Sequence, residues 1–118
     1  MGQDDRHILL RLMSVLEDRK QNPSEKSYTA SLFAGGVDKI SEKILEEAQE
    51  VIEAAAETDA GAEEHLVHEA ADLIFHLLVM LGYKSIKWEQ VEAELGRRFG
   101  ISGLEEKAAR TSPDPPKS

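Results

Sequence analysis

Apolar residues recur at helical spacing along most of the chain. The first such stretch covers residues 4–20 and is predicted to end near Asn22-Pro23, because proline disfavours helical geometry in the residue before it. A short helix over residues 28–34 should end at Gly35-Gly36, and a strongly amphipathic pattern follows over residues 37–55. No stretch alternates apolar and polar residues as a strand does, so the sequence predicts an all-α fold.

A second long helix is predicted over residues 62–81, with a stop at Gly82. Ser85 has the chemistry of an N-cap for a further helix that runs to Phe99. Residues 73–81 are apolar around nearly the whole circumference, which requires burial on all sides. Because a four- to five-helix bundle of this size offers little cover, we expect a homodimer or a higher homo-oligomer to complete it. Residues 104–110 could add a last helical turn, closing a domain over residues 1–110, and the proline-rich tail at 111–118 is predicted to be disordered.

Composition limits the classes of function. The chain has 118 residues, which fits one domain, and no cysteine, which excludes thiolate chemistry. The net charge of -9 argues against a nucleic-acid partner. The N-terminus lacks a signal-peptide pattern, and the longest uninterrupted apolar run, at 77–81, is too short to span a membrane. We therefore expect a cytoplasmic protein, which would need divalent cations to bind a polyphosphate.

Carboxylates at matching spacing on the two long helices are the candidate chemistry. Glu47 and Glu50 share a helix face, with Glu46 close by, and Glu69 and Asp72 repeat the three-residue spacing. If the two helices pack antiparallel, both pairs can line one cavity. Oxygen ligands gathered in this way suit Mg²⁺, with Mn²⁺ as the alternative.

A solvated acidic face is the competing interpretation of the glutamate-rich helix. Asp72 argues against it, because an aspartate beside Leu73-Ile74-Phe75 is expected to be buried, and a buried charge needs a partner or a metal ion. His65 and His68 lie near the predicted helix start and are left out of the metal site. His76 is interpreted as a core histidine with satisfied hydrogen bonds.

The chain contains no nucleophile motif and no glycine-rich phosphate loop, which leaves direct attack of water on phosphorus. A metal ion would neutralise phosphate charge while a spare carboxylate takes a proton. Lys39 and Lys43, one helical turn apart, could meet phosphates, as could a basic group near the C-terminus that includes Arg98 and Lys107. For each of these cations a solvated surface position is the alternative.

The pattern Glu46-Glu47-x-x-Glu50 followed by Glu69-x-x-Asp72 resembles the all-α nucleotide pyrophosphohydrolase superfamily, the MazG-like group that includes dimeric dUTPases. Three flanking stretches, at residues 17–29, 39–43 and 98–107, narrow the resemblance to the phosphoribosyl-ATP pyrophosphatase family. It extends over roughly residues 9–110.

This resemblance implies Mg²⁺-dependent hydrolysis of phosphoribosyl-ATP to phosphoribosyl-AMP and pyrophosphate, the second step of histidine biosynthesis, by a stand-alone enzyme. The alternatives are a house-cleaning nucleoside triphosphate pyrophosphohydrolase of the same superfamily and a non-catalytic, acidic helical interaction module. The implied roles are metal ligands at Glu47, Glu50, Glu69 and Asp72, a ligand or general base at Glu46, and substrate contacts at Tyr28, Lys39, Lys43, Arg98 and Lys107.

Overall fold

A computed structural model describes residues 7–24 and 26–100. It contains α1 (Ile8–Gln21), α2 (Tyr28–Ala55), α3 (Ala62–Tyr83) and α4 (Trp88–Phe99), and no strand within the described ranges. The predicted all-α fold is confirmed. The start of the first predicted helix at residues 4–6, the last helical turn at 104–110 and the tail at 111–118 lie outside the described residues.

Side-chain caps explain where the first two helices begin. The Nδ1 atom of His7 accepts a hydrogen bond from the Leu9 N–H at 3.2 Å at the start of α1. At the start of α2, the Ser27 hydroxyl accepts one from the Ala30 N–H at 3.1 Å. Each cap satisfies a backbone donor that the first helical turn leaves without an intrahelical partner. The end of α1 at Gln21, just before Pro23, is as predicted.

A kink at Gly36 joins the two helices predicted on either side of the glycine pair. Gly36 has φ 71° and ψ −163°, which lies outside the helical region, so α2 consists of two helical segments that meet at this residue. A side chain here would be strained by the positive φ, and a Cβ atom would also lie 3.2 Å from the Tyr83 hydroxyl. The predicted interruption at the glycine pair is confirmed, and the second segment follows it directly.

Helices α2 and α3 form the main packing pair, and α1 packs against both. They run antiparallel: His65 at the start of α3 meets Glu57 just after α2, and Tyr83 at its far end meets Gly36. The core of this three-helix unit consists of side chains that are almost fully buried: Leu16, Leu32, Ile40, Leu78 and Val79. The antiparallel arrangement sets the two carboxylate pairs opposite each other.

The predicted boundary after α3 is wrong in detail. Gly82 is buried inside α3, where it packs near the Phe33 ring, and the helix continues to Tyr83. Ser85 has φ 60° and is not an N-cap; its hydroxyl accepts a hydrogen bond from Lys20 at 3.0 Å. Local backbone hydrogen bonds close the end of α3, from the Ser85 N–H to the Gly82 carbonyl at 3.0 Å and from the Ile86 N–H to the Leu81 carbonyl at 2.8 Å. The Lys20 ammonium adds a long-range contact by donating to the Gly82 carbonyl at 2.8 Å.

Part of the apolar surface of α3 remains exposed. Ile74 and Leu77 are both more than two-fifths exposed in the single chain, so the expected burial on all sides is not achieved within one subunit. The helix is long and apolar enough to cross a membrane by length and composition alone. Core helices of soluble proteins pass the same test, and the complete burial of Leu78 and Val79 matches a core helix.

Helix α4 belongs to a second compact unit that begins at Lys87. Its first turn is closed by Gln90, whose side-chain oxygen accepts a hydrogen bond from the Lys87 N–H at 2.9 Å. It ends at Gly100, which has a left-handed conformation with φ 65°. The helix was predicted to begin two residues earlier, after Ser85.

Candidate active site

Three glutamates from α2 and α3 form the centre of the site. Glu47, Glu50 and Glu69 each contribute a carboxylate oxygen, and these oxygens all lie within 4.8 Å of one another. Glu69, His68 and Asp72 form a second group with the same limit. Because Glu69 belongs to both groups, the two carboxylate pairs singled out in the sequence meet at this residue.

Burial within the cluster differs from the expectation. Asp72 was expected to be the buried acid, but its side chain is 41% exposed and lies 3.3 Å from the Nε2 atom of His68. Glu69 is the buried acid, with 8% of its surface exposed. The reason is position on α3: Glu69 faces α2, while Asp72, three residues further along, lies nearer the edge of the helix contact.

Two buried carboxylate oxygens lack a donor. Glu47 Oε1 and Glu69 Oε1 are inaccessible to solvent, and no hydrogen-bond donor within residues 7–24 and 26–100 reaches either of them. An oxygen in this situation needs a proton or a cation, because burying an uncompensated charge is costly. Carboxylate oxygens at such short separations are the metal ligands that Mg²⁺ and Mn²⁺ prefer.

The same crowding changes the proton affinity of the acids. Burial, followed by the negative charges of Glu50 and Asp72, raises the pKa of Glu47 to about 7. The contact with Glu69 raises the pKa of Glu50, because a protonated Glu50 can donate a hydrogen bond to Glu69. That contact correspondingly lowers the pKa of Glu69. Without a cation, the cluster therefore retains a shared proton near neutral pH.

Glu46 lies beside the cluster and not within it. It is exposed, and its Oε1 atom accepts a hydrogen bond from the Lys43 ammonium at 3.3 Å. This contact raises the pKa of Lys43. Lys39, one turn earlier on α2, has its side-chain stem against Gly35, where a Cβ atom would lie only 2.6 Å away.

Tyr28 borders the acids on the side of the kink. Its hydroxyl lies 2.8 Å from His76 Nε2, and its ring stacks on Phe75 with centroids 6.4 Å apart. The Nδ1 atom of His76 lies 3.0 Å from the Asp72 carbonyl, which can only accept, so Nδ1 carries the ring proton and Nε2 accepts from Tyr28. His76 is buried with both nitrogens bonded, which confirms its interpretation as a core histidine. Burial, with contributions from nearby acids that include Glu47, raises the pKa of Tyr28.

Two histidines that were left out of the site contact it. His65 Nε2 lies 3.2 Å from Glu69 Oε2, and His68 Nε2 lies 3.3 Å from Asp72. The signal was available in the sequence, because each histidine precedes its acid by four residues, the spacing that brings side chains together on a helix.

The predicted C-terminal contacts have different outcomes. Arg98 lies on α4, in the second unit, where its guanidinium lies over the Phe99 ring at 5.7 Å and near Glu94 at 4.0 Å. Lys107 lies outside the described residues. The roles of both in substrate binding stay predictions.

Comparison with known proteins decides the family. The sequence model described as phosphoribosyl-ATP pyrophosphohydrolase matches residues 9–99. The chain belongs to this family. A phosphoribosyl-ATP pyrophosphatase of Geotalea daltonii is 52% identical over 103 residues, which cover 87% of this chain and 94% of that one. Proteins of the same name from Vesicomyosocius okutanii and Rhodopirellula baltica are 50% and 48% identical, over 89% and 85% of this chain and 97% and 83% of their own lengths.

Membership confirms the resemblance noted in the sequence and the choice of a hydrolase acting on a phosphoanhydride. The matched region begins at the second residue of α1 and ends with α4 at Phe99, so it contains all of the carboxylate cluster. A small-molecule substrate follows from the family.

Proposed function

We propose that this chain hydrolyses phosphoribosyl-ATP to phosphoribosyl-AMP and pyrophosphate, the second step of histidine biosynthesis, in the cytoplasm. The observation that carries the proposal is the convergence of Glu47, Glu50 and Glu69 in a chain that is about half identical to phosphoribosyl-ATP pyrophosphatases along nearly its whole length. In this reaction water adds to phosphorus, the bond between the α- and β-phosphates breaks, and pyrophosphate leaves.

We further propose that Glu47, Glu50, Glu69 and Asp72 hold Mg²⁺, with Mn²⁺ as a substitute. The two buried oxygens without donors, Glu47 Oε1 and Glu69 Oε1, support this assignment. When bound, the ion would neutralise negative charge on the phosphate oxygens and, as a Lewis acid towards those oxygens, would make the phosphorus more open to attack by water. The protein has a net charge of -9, which on average repels a polyphosphate, and the bound ion would provide a local positive site that attracts one.

The residues around the carboxylate cluster are the proposed general base and substrate contacts. Glu46 is the proposed general base, because it is exposed beside the cluster and stands outside both ligand groups in the described residues. Lys43, on the same face, neutralises phosphate charge and holds the Glu46 carboxylate. Tyr28, Lys39, Arg98 and Lys107 are the proposed further substrate contacts.

We also propose that two or more copies assemble. Exposed apolar residues form one stripe on α2, at Leu45 and Ile52, and another on α3, at Val67, Ile74 and Leu77. Leu45 is 71% exposed and Ile52 64%, which is unfavourable for such side chains in water and favours burial against a second copy of the chain. Sedimentation analysis of the purified protein tests the assembly.

Complementation of a histidine auxotroph that lacks this activity tests the function, with Glu50→Gln as the test variant. Glu50 is exposed, so its replacement by an isosteric amide removes a ligand without opening the core. Glu53→Gln is the matched control, since Glu53 is also exposed on α2 and its carboxylate accepts a hydrogen bond from the Gln49 side-chain amide at 3.1 Å. We expect growth with the wild type and the control and none with Glu50→Gln.

A substrate panel with purified protein separates this function from the related ones. We expect phosphoribosyl-ATP to be turned over faster than dUTP or dCTP, and pyrophosphate to be released only when a divalent cation is present. Faster hydrolysis of either deoxynucleotide would overturn the choice of substrate. Growth supported equally by Glu50→Gln and wild type would overturn the role of the cluster.

A further inference from the structure

His65 connects two carboxylates that come from different parts of the chain. Its Nδ1 atom lies 3.0 Å from both oxygens of Glu57, which follows the end of α2. Its Nε2 atom lies 3.2 Å from Oε2 of Glu69, four residues further along α3. The imidazole ring therefore links Glu57, in the loop between α2 and α3, to Glu69, the buried acid of the site.

The two ring nitrogens of His65 are both directed at carboxylates of the chain. Nδ1 faces Glu57 and Nε2 faces Glu69, so the ring meets the cluster through Glu69.

The contact distinguishes the two oxygens of Glu69. His65 engages Oε2, while Oε1 is buried, has no donor in the described part of the chain, and belongs to the side chain that meets Glu47 and Glu50. A glutamate side chain has three rotatable bonds. If they are already fixed before the ion binds, binding loses less conformational entropy. Hydrogen bonds that orient a ligand from behind are a general means of raising metal affinity.

We propose that His65 is a positioning residue that holds the Glu69 carboxylate so that its free oxygen faces the cation, with Glu57 fixing the ring in turn. This inference rests on the proposed cation site. It concerns an interaction of this chain that the carboxylate pattern does not contain, since neither His65 nor Glu57 is part of that pattern.

Direct titration of Mg²⁺ and Mn²⁺ into the substrate-free, full-length protein by calorimetry tests the role. We expect His65→Ala to weaken binding of both ions by about tenfold to a hundredfold. His65→Gln should recover part of the loss, because its side-chain amide can donate to Glu69. Glu57→Gln should weaken binding less than His65→Ala, because the ring stays in place with a poorer anchor.

Turnover measurements separate positioning from chemistry. In His65→Ala the Mg²⁺ concentration for half-maximal activity should rise in parallel with the calorimetric constant, while kcat at saturating Mg²⁺ stays within a few-fold of the wild type. Lys84→Ala is the control for loss of a basic side chain, since Lys84 is the exposed C-cap residue of α3, at the end opposite His65. It should bind both ions as the wild type does.

Each outcome has a distinct meaning. If the wild type binds neither ion, the proposed cation site fails, and the inference fails with it. If the wild type binds and His65→Ala binds equally well, or Lys84→Ala is as weak as His65→Ala, only the positioning role is overturned. A collapse of kcat with an unchanged Mg²⁺ requirement would also overturn it, because the ring would then act on substrate. Should His65→Ala fail to fold, His65→Gln and Glu57→Gln supply the same comparison.

Discussion

Raising the pH of the cation-free protein should destabilise it, and Glu47→Gln should remove most of that effect. The pKa of Glu47 is about 7 in the folded chain, against 4.5 for an ordinary glutamate. Below 4.5 both the folded and unfolded states carry the proton, and between 4.5 and about 7 the folded state retains it more strongly. Unfolding therefore releases a proton in this window, so the free energy of unfolding falls as the pH rises through it.

The size of the effect follows from the same pKa values. The full difference in proton affinity corresponds to an upper limit of roughly 3 kcal/mol, at about 1.4 kcal/mol for each tenfold change. Glu47 is partly open to solvent, which reduces the expected loss to roughly 1–2 kcal/mol. For a chain of this size that lowers Tm by about 5–10 °C. His65, whose pKa is raised by Glu57, adds a loss of the same sign above its ordinary pKa of 6.5.

Thermal unfolding followed by circular dichroism, in a chelator and at one protein concentration, measures this slope between about pH 5 and about pH 8. The wild type should lose stability across the range, and Glu47→Gln should be flatter because an amide has no proton to release. Glu53→Gln is the matched control on α2 and should keep the wild-type slope. Added Mg²⁺ should stabilise the wild type more at the upper pH, because the ion replaces the proton.

The reasoning is refuted by a cation-free Tm that stays level or rises over this range. It is also refuted if Glu47→Gln retains the wild-type slope, because the proton would then be released from elsewhere. A stabilisation by Mg²⁺ that does not depend on pH would show that the ion binds away from the shared proton.

Three further predictions concern single side chains. Glu69→Gln should lower kcat/KM for phosphoribosyl-ATP by about a hundredfold or more and remove the rise in Tm with Mg²⁺, as steady-state kinetics and melting curves would show; an unchanged Mg²⁺ response contradicts it. Tyr28→Phe should cost about 1–2 kcal/mol in chemical denaturation, because the buried Nε2 of His76 loses its donor. Gly36→Ala should cost about 1–3 kcal/mol by the same assay, because alanine is strained at the left-handed φ of 71°; an unchanged free energy of unfolding would contradict this.

The sequence was informative where local periodicity and packing agree. The spacing of Glu47 with Glu50 and of Glu69 with Asp72 predicted that the two helices would bring carboxylates together, because side chains three residues apart share a helix face. The helix boundaries were predictable where a local signal acts, as at Pro23. At Gly82 the predicted end came too early, because the left-handed residue that closes the helix is Ser85 and not the glycine.

Burial of individual charges could not be read from neighbours in sequence. Asp72 is adjacent to apolar residues yet half-open, while Glu69, beside Ala70 and His68, is the buried acid. Adjacent helical residues point about 100° apart, so the polarity of a neighbour says little about the direction of a side chain. The role of Ser85 was hidden for a related reason, since its partner, Lys20, is distant in the chain.

The kink at Gly36 separates an aromatic segment of α2 from an acidic one. Tyr28 lies before the kink and is hydrogen-bonded to His76 of α3, and the acids from Glu46 to Glu50 lie after it. Because the bend interrupts the helix between them, the aromatic segment and the acidic segment do not share one rigid axis. Changes in the residues around Tyr28 would therefore leave the register of the acidic segment against α3 unaltered.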